Sequence, residues 1–202
     1  MAVNDRELWR LGCAAVAQEY VALPQPVRVR VNTLARRVRE TKEELARIVS
    51  QVGGSAICAS CRGECCATGK NHVTVVDLLV HFSEGRAVPE PDFGRKSCPF
   101  LGERGCVMAP SYRPFNCIIF NCDRIEEGLE APARAELYRV ERELRELCRE
   151  FDLFLGNRFG AGLLIVSERC LLRQRLPLFR TTTTDGESLH GNDQRSGTGT
   201  YR

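Results

Sequence analysis

Eight of the chain's 11 cysteines lie between Cys58 and Cys122, and no other feature restricts its folding as much. Thiols grouped this closely are disulfide staples, metal ligands or buried apolar side chains, and the redox compartment chooses among the three. The N-terminus, Met1-Ala2-Val3-Asn4-Asp5-Arg6-Glu7-Leu8-Trp9-Arg10, places both charge signs where a signal peptide needs an apolar run. No window approaches the ~18 consecutive apolar residues of a membrane span, and Leu163-Leu164-Ile165-Val166 is far too short. The sequence therefore predicts a cytoplasmic protein with no membrane partner, whose thiols stay reduced. The odd cysteine total also argues against complete pairing. Clustered, reduced cysteines point to metal or redox chemistry.

With 202 residues, 43 % of them hydrophobic, the chain can bury an ordinary core and does not need cysteine staples to fold. Its net charge of +3 gives no reason of its own to expect a nucleic-acid partner.

The pattern divides the chain into an N-terminal helical segment (1–54), a cysteine-rich module (55–123), a C-terminal helical segment (124–180) and a tail (181–202). Asn4 and Glu7 have the spacing of a capping box. Behind them Trp9, Cys13, Val16 and Tyr20 share one helical face to about Ala22. Pro24 and Pro26 interrupt the pattern. A second helix is expected from about Thr33 to Gln51, with Leu34, Val38, Leu45 and Ile48 inward and Gly53-Gly54 as its stop. Seven basic residues against three acidic ones lie between Arg28 and Arg47. A solvated face with pairs of the Glu43–Arg47 kind is the preferred reading of that run, ahead of a nucleic-acid patch.

Residues 130–155 carry the clearest helical stripe: Ala133, Leu137, Val140, Leu144, Leu147, Cys148 and Phe151. Pro132 suits its first turn, and Glu141 and Arg145 form an i,i+4 pair on the outer face. The apolar run from Leu163 to Leu172, which carries Cys170, reads equally as helix or strand. The tail, dominated by Thr and Gly with few large apolar residues, is expected to be disordered. Cys13 and Cys148 sit on apolar stripes and read as core residues, as does Cys170.

Three groups make up the remaining eight. In Cys58-Ala-Ser-Cys61-Arg-Gly-Glu-Cys65-Cys66, a Cys-x-x-Cys spacing lets two thiolates converge on one ion from a tight turn. Gly63 permits backbone N–H groups to face the sulfurs. Cys65 follows Cys61 by four positions, one helical turn or tight loop away. Cys98-Pro-Phe-Leu-Gly-Glu-Arg-Gly-Cys106 reads as a hairpin with a cysteine on each arm, turned at Gly102 and Gly105. In Tyr112-Arg113-Pro114-Phe115-Asn116-Cys117, Pro114 sets the approach to Cys117, and Cys122 follows five residues later.

Eight thiols make two four-coordinate sites, or one site and a redox or substrate-binding remainder. Four thiolates around Zn²⁺ or a [4Fe–4S]²⁺ cluster leave a charge of about −2. Arg62, Arg104 and Arg113 adjoin the groups in sequence, either offsetting that charge or serving as surface arginines.

Sharper motifs fail. A radical-SAM spacing breaks at Thr68, and a ferredoxin run breaks at Glu64. No Gly-x-Gly-x-x-Gly and no P-loop occurs, and Cys58-x-x-Cys61 lacks a thioredoxin-like βαβ setting. His72, His81 and His190 form no Cys₂His₂ spacing. His81 falls in a helix that Thr74 and Asp77 begin as a capping-box variant and that ends near Gly85.

The order of these motifs resembles the CxxCxxCC, or YkgJ-type, cysteine-cluster family of zinc- or iron-chelating proteins. It runs Cys58-x₂-Cys61-x₃-Cys65-Cys66, a Thr-x-x-Asp helix start, Cys98-Pro-Phe-Leu to Gly-Cys106, then Tyr-Arg-Pro-x-x-Cys117 and Cys122. The likeness covers residues 55–123 and departs from the family pattern by one extra residue between Cys61 and Cys65. It implies that Cys58, Cys61, Cys65, Cys66, Cys98, Cys106, Cys117 and Cys122 are the metal-site residues. Flagellin lysine N-methylase carries a similar module, but no S-adenosylmethionine site is readable in this chain.

The expected fold is mainly α, with helices packed around a cysteine-rich metal module that includes a short hairpin. Three functions follow. The first is a metal-binding protein with a Cys-ligated iron–sulfur cluster or zinc. The second is an Fe–S redox or protein-modifying, methylase-like enzyme. The third is a zinc-stabilised module that binds a protein or nucleic acid through the basic helix.

Overall fold

The first helix begins where its cap residues place it. Asn4 accepts the Glu7 backbone N–H at 3.0 Å, and the Glu7 carboxylate accepts that of Asn4 at 3.1 Å. This satisfies two of the donors that a helix start leaves orphaned. The computed structural model describes residues 3–61, 69–95, 98–103, 105–156 and 159–180. In chain order the helices are α1 (Asp5–Ala22), α2 (Gln25–Ser50), α3 (Gly54–Ser60), α4 (Val75–Ser83), α5 (Phe115–Ile119), α6 (Asp123–Glu126), α7 (Ala131–Phe154) and α8 (Leu163–Val166). The strands β1 (Leu101–Gly102) and β2 (Gly105–Cys106) pair antiparallel, with Leu101 opposite Cys106. The chain among the described residues is mainly helical, and none of these helices is long and apolar enough to cross a membrane. The segment 181–202, expected to be disordered, lies outside the described residues, and so does His190.

Helix α2 starts at Gln25, eight residues before the expected Thr33. Pro24 is its N-cap, and Pro26 occupies the first turn, where a missing N–H costs nothing and the ring's φ is already helical. The prolines therefore start this helix instead of breaking it. At its far end Gly53 adopts φ 67°, which favours glycine, and the chain enters α3 immediately. The ambiguous run after Leu163 is helical, with α8 continuing as a π-helix over Ser167–Gln174 that buries Cys170.

Helix α2 is the central element. It packs against α7 on one side and against α4 and the 3₁₀ turn Pro110–Tyr112 on another, while α1 covers α4, α8 and the π-helix. Helices α2 and α7 run antiparallel, since Arg37 pairs with Glu150 and Glu44 with Arg139. Leu34, Val38, Leu45 and Ile48 of α2 and Leu137, Val140, Leu144, Leu147 and Phe151 of α7 join one buried cluster, as both stripes require. Full burial of such a side chain stabilises by about 1.5–3 kcal/mol. On the basic face of α2, Arg39 is ion-paired: it reaches Glu43 at 3.0 Å and Glu84 of the loop after α4 at 2.7 Å. Glu43 thus pairs with the arginine a turn before it, whereas Arg47 had been its expected partner.

One polar contact crosses the α2–α4 interface. Lys42 Nζ lies 2.6 Å from Asp77 Oδ1, with the two side chains 1 % and 2 % exposed. Asp77 Oδ2 accepts both the backbone N–H and the hydroxyl of Thr74 at 2.8 Å, and the Thr74 hydroxyl accepts the Asp77 N–H. One carboxylate therefore caps α4 and neutralises a buried ammonium. One turn later His81 is buried, and its Nδ1–H donates to the Ala87 carbonyl at 3.1 Å. Burial lowers its pKa and favours the neutral ring, which packs 5.0 Å from Tyr112.

Removing one partner of a buried, hydrogen-bonded ion pair leaves an uncompensated charge. Lys42→Met is expected to lower the unfolding free energy by about 3–5 kcal/mol. Arg37→Ala, which breaks a half-exposed pair, should cost less than about 1 kcal/mol. Urea denaturation of the two variants compares them, and equal losses would contradict this account of α4.

Candidate metal centre

The turn expected at Cys58-x-x-Cys61 is helical. Cys58 belongs to α3, Cys61 is its C-cap, and the Cys61 thiol donates to the Cys58 carbonyl at 3.3 Å. The left-handed Gly53 restarts the helix early enough to include Cys58, so the spacing of three places both cysteines on one side of the last turn. Cys65, Cys66 and Gly63, with Arg62 and Arg104, lie outside the described residues.

Of the two cysteines assigned to the hairpin, Cys106 lies in β2, and Cys98 precedes β1 in a turn closed by Leu101 N–H to the Cys98 carbonyl at 3.1 Å. Pro99 follows Cys98 directly and has no N–H for a ladder. Burial raises the Cys98 pKa, against a smaller lowering by the Phe100 backbone N–H. Cys117 lies within α5 behind its N-cap Pro114, as the proline suggested, and Cys122 is the N-cap of α6. Arg113 donates to the Met108 carbonyl at 3.3 Å, a backbone role not expected from sequence.

Tertiary packing gathers these short elements. Helix α3 lies against β2 and against α6, bringing together the segments that bear Cys58, Cys106 and Cys122. On the other side, the 3₁₀ turn Gly69–Asn71 leads into His72, whose Nδ1 is 3.2 Å from Cys117 Sγ. A Cβ on Gly69 would stand 2.5 Å from Cys98 Sγ, so the absence of a side chain there lets the turn lie on that sulfur. His72 was passed over because it matches no ligand spacing. Only its position six residues after Cys66 and two before the Thr74 cap hinted at a role.

A pocket of about 260 Å³ opens beside this edge. Thr74, Asn116, Phe115, Phe159, Arg145 and Cys148 are among its lining residues, so it adjoins the neighbours of both His72 and Cys117.

The other three cysteines are in a different environment. Cys170 is buried, and Cys13 and Cys148 pack part-buried against the core, as their stripes implied. Burial, aided by Glu90, pushes the Cys13 thiol up to about 12. Burial followed by Asp77 does the same to Cys148.

A metal ion or cluster needs soft, deprotonatable donors that converge. The donor chemistry fits: no disulfide joins two described cysteines, and six of the eight expected ligands are described. Among the described residues, no three His, Cys, Asp or Glu side chains form a group that could hold a metal ion. The convergence among them is thus of elements, plus the direct approach of His72 to Cys117.

Comparison with known proteins adds nothing to this geometry: no family model, curated protein or solved structure matches the chain.

The thiolate is the reactive form of cysteine, and burial withholds it. At about pH 8, iodoacetamide should modify Cys13 and Cys148 far more slowly in the folded protein than after denaturation, as read by peptide mass spectrometry. Labelling of either at the denatured rate in the folded chain would contradict their assignment to the core.

Proposed function

We propose that this chain is a cytoplasmic metal-binding protein. Cys58, Cys61, Cys65, Cys66, Cys98, Cys106, Cys117 and Cys122 supply the ligands of a zinc site or an iron–sulfur cluster. The observation that carries this reading is the division of the thiols into two environments. Five of the six described members, Cys58, Cys61, Cys106, Cys117 and Cys122, stand on or at the ends of short elements outside the long helices' stripes, with α3 packed against β2 and α6, and the sixth, Cys98, is buried beside the Gly69 turn. Cys13, Cys148 and Cys170 stand on those stripes. The likeness to the CxxCxxCC family supports the same ligand set.

Metal would supply what this part of the chain lacks. Helices α3, α5 and α6 have seven, five and four residues. Elements so short are marginal alone, and ligation that occurs only in the folded state adds its binding free energy to folding. Thiolates of the set would hold the ion or cluster, and backbone N–H groups of the surrounding turns would tune it.

The second reading, an Fe–S redox or protein-modifying enzyme, is favoured by the pocket beside Cys117, which could admit a small substrate or side chain. The third, a zinc-stabilised interaction module, is weakened at α2, where Arg37, Arg39 and Arg47 already face Glu150, Glu43, Glu84 and Glu136.

Cys61→Ser is expected to lose bound metal, whereas Cys13→Ala and Cys148→Ala keep the full complement, measured by elemental analysis after gel filtration. Equal loss in all three, or none in any, would overturn the partition.

A further inference from the structure

The contact between His72 and Cys117 does more than join two loops. We propose that His72 is a nitrogen ligand of the metal centre and shares one ion with Cys117, so that the site is of mixed sulfur and nitrogen type instead of all-thiolate. This rests on the metal-binding reading and specifies its ligand set.

The distance is the first support. Nδ1 and Sγ are 3.2 Å apart. With Zn–S near 2.3 Å and Zn–N near 2.0–2.1 Å, two donors at that separation subtend an angle of about 95° at a common ion. That is somewhat below the tetrahedral angle and within reach of a small side-chain adjustment. Without metal, the same approach is a hydrogen bond with one proton between sulfur and nitrogen. With Zn²⁺ bound in that proton's place, the Cys117 thiol would have released H⁺ to solvent, and Cys117 Sγ and His72 Nδ1 would each supply a lone pair, with no oxidant or reductant needed.

The second support is how firmly the turn that carries the ring is held. The His72 N–H donates to the Gly69 carbonyl at 3.2 Å, closing the turn. Gly69 lies on the Cys98 sulfur, so the turn that positions His72 also abuts another cysteine of the set. On its outer side a Cβ at Gly162 would be 2.0 Å from the Asn71 carbonyl oxygen, so the start of α8 closes directly over the turn. One residue on, the Val73 carbonyl accepts the Leu163 N–H at 2.6 Å. Lys70 ties the turn to Asp5 of α1 at 2.7 Å. A histidine on a turn held by three separate parts of the chain, with its Nδ1 beside a cysteine sulfur, has the preorganisation a ligand needs.

Zn²⁺ and Co²⁺ are the probes. X-ray absorption of the Zn²⁺-loaded full chain should show a nitrogen-distance scatterer at about 2.0–2.1 Å beside sulfur at about 2.3 Å. His72→Ala should lose that scatterer, shift the Co²⁺ ligand-field bands and weaken Zn²⁺ binding by on the order of tenfold or more in chelator competition. His72→Cys, which restores a soft donor, should recover affinity with an all-sulfur shell. Because the unmodified chain gives the first readout, the test does not depend on the variants folding. An all-sulfur shell in the unmodified chain overturns the assignment of His72 and leaves the metal-binding reading intact. Failure of the unmodified chain to take up either ion overturns the assignment of His72 and the zinc form of the metal-binding reading.

Discussion

The Lys42–Asp77 ion pair is the contact on which the arrangement of the candidate centre depends. Buried charges are tolerated only when paired and hydrogen-bonded, and here both carboxylate oxygens are occupied, one by the ammonium and one by the Thr74 cap. The pair has strict geometric requirements, so it determines where α4 starts on the surface of α2. The segment that leads into α4 carries Gly69, His72 and Thr74. Its position brings the Gly69 turn onto Cys98 and the His72 ring to Cys117.

The chain uses one residue type for two purposes, and the surroundings separate them. Cys13 and Cys148 are held as neutral thiols by burial, with carboxylates adding to the effect. A thiol so held is a small apolar side chain. Among the described members of the candidate set, Cys61 and Cys122 cap short helices, Cys98 lies in a turn, Cys106 lies in a strand pair, and Cys58 and Cys117 lie within helices of seven and five residues. Cys98 sits between the two conditions: it is buried, yet it lies against a turn of the module.

Much of the helical frame was legible from residue order because its signals are local. Both capping boxes, at Asn4 and Thr74, depend on residues three apart. The stripe of α7 repeats regularly enough to identify its buried face, and the glycines around residue 103 mark the hairpin. The start of α2 was misread because Pro26 is a breaker inside a helix and a good first-turn residue at its beginning, and pattern alone did not say which applied. The helical state of Cys58 depends on Gly53 turning left-handed instead of ending the structure. Of the candidate site, the cysteines were visible through spacing. His72 was not, because its link to Cys117 spans 45 positions and exists only once α8 and α1 have closed over the turn between them.

The central claim is that the eight-cysteine set binds metal, and the most direct measurement is the metal and sulfide content of the full chain purified without oxygen, together with its visible spectrum. The account predicts at least one equivalent of zinc in a colourless protein, or iron with matching acid-labile sulfide in a brown one. Substoichiometric zinc and iron, with a fold that neither strong chelators nor added metal alters, would contradict it.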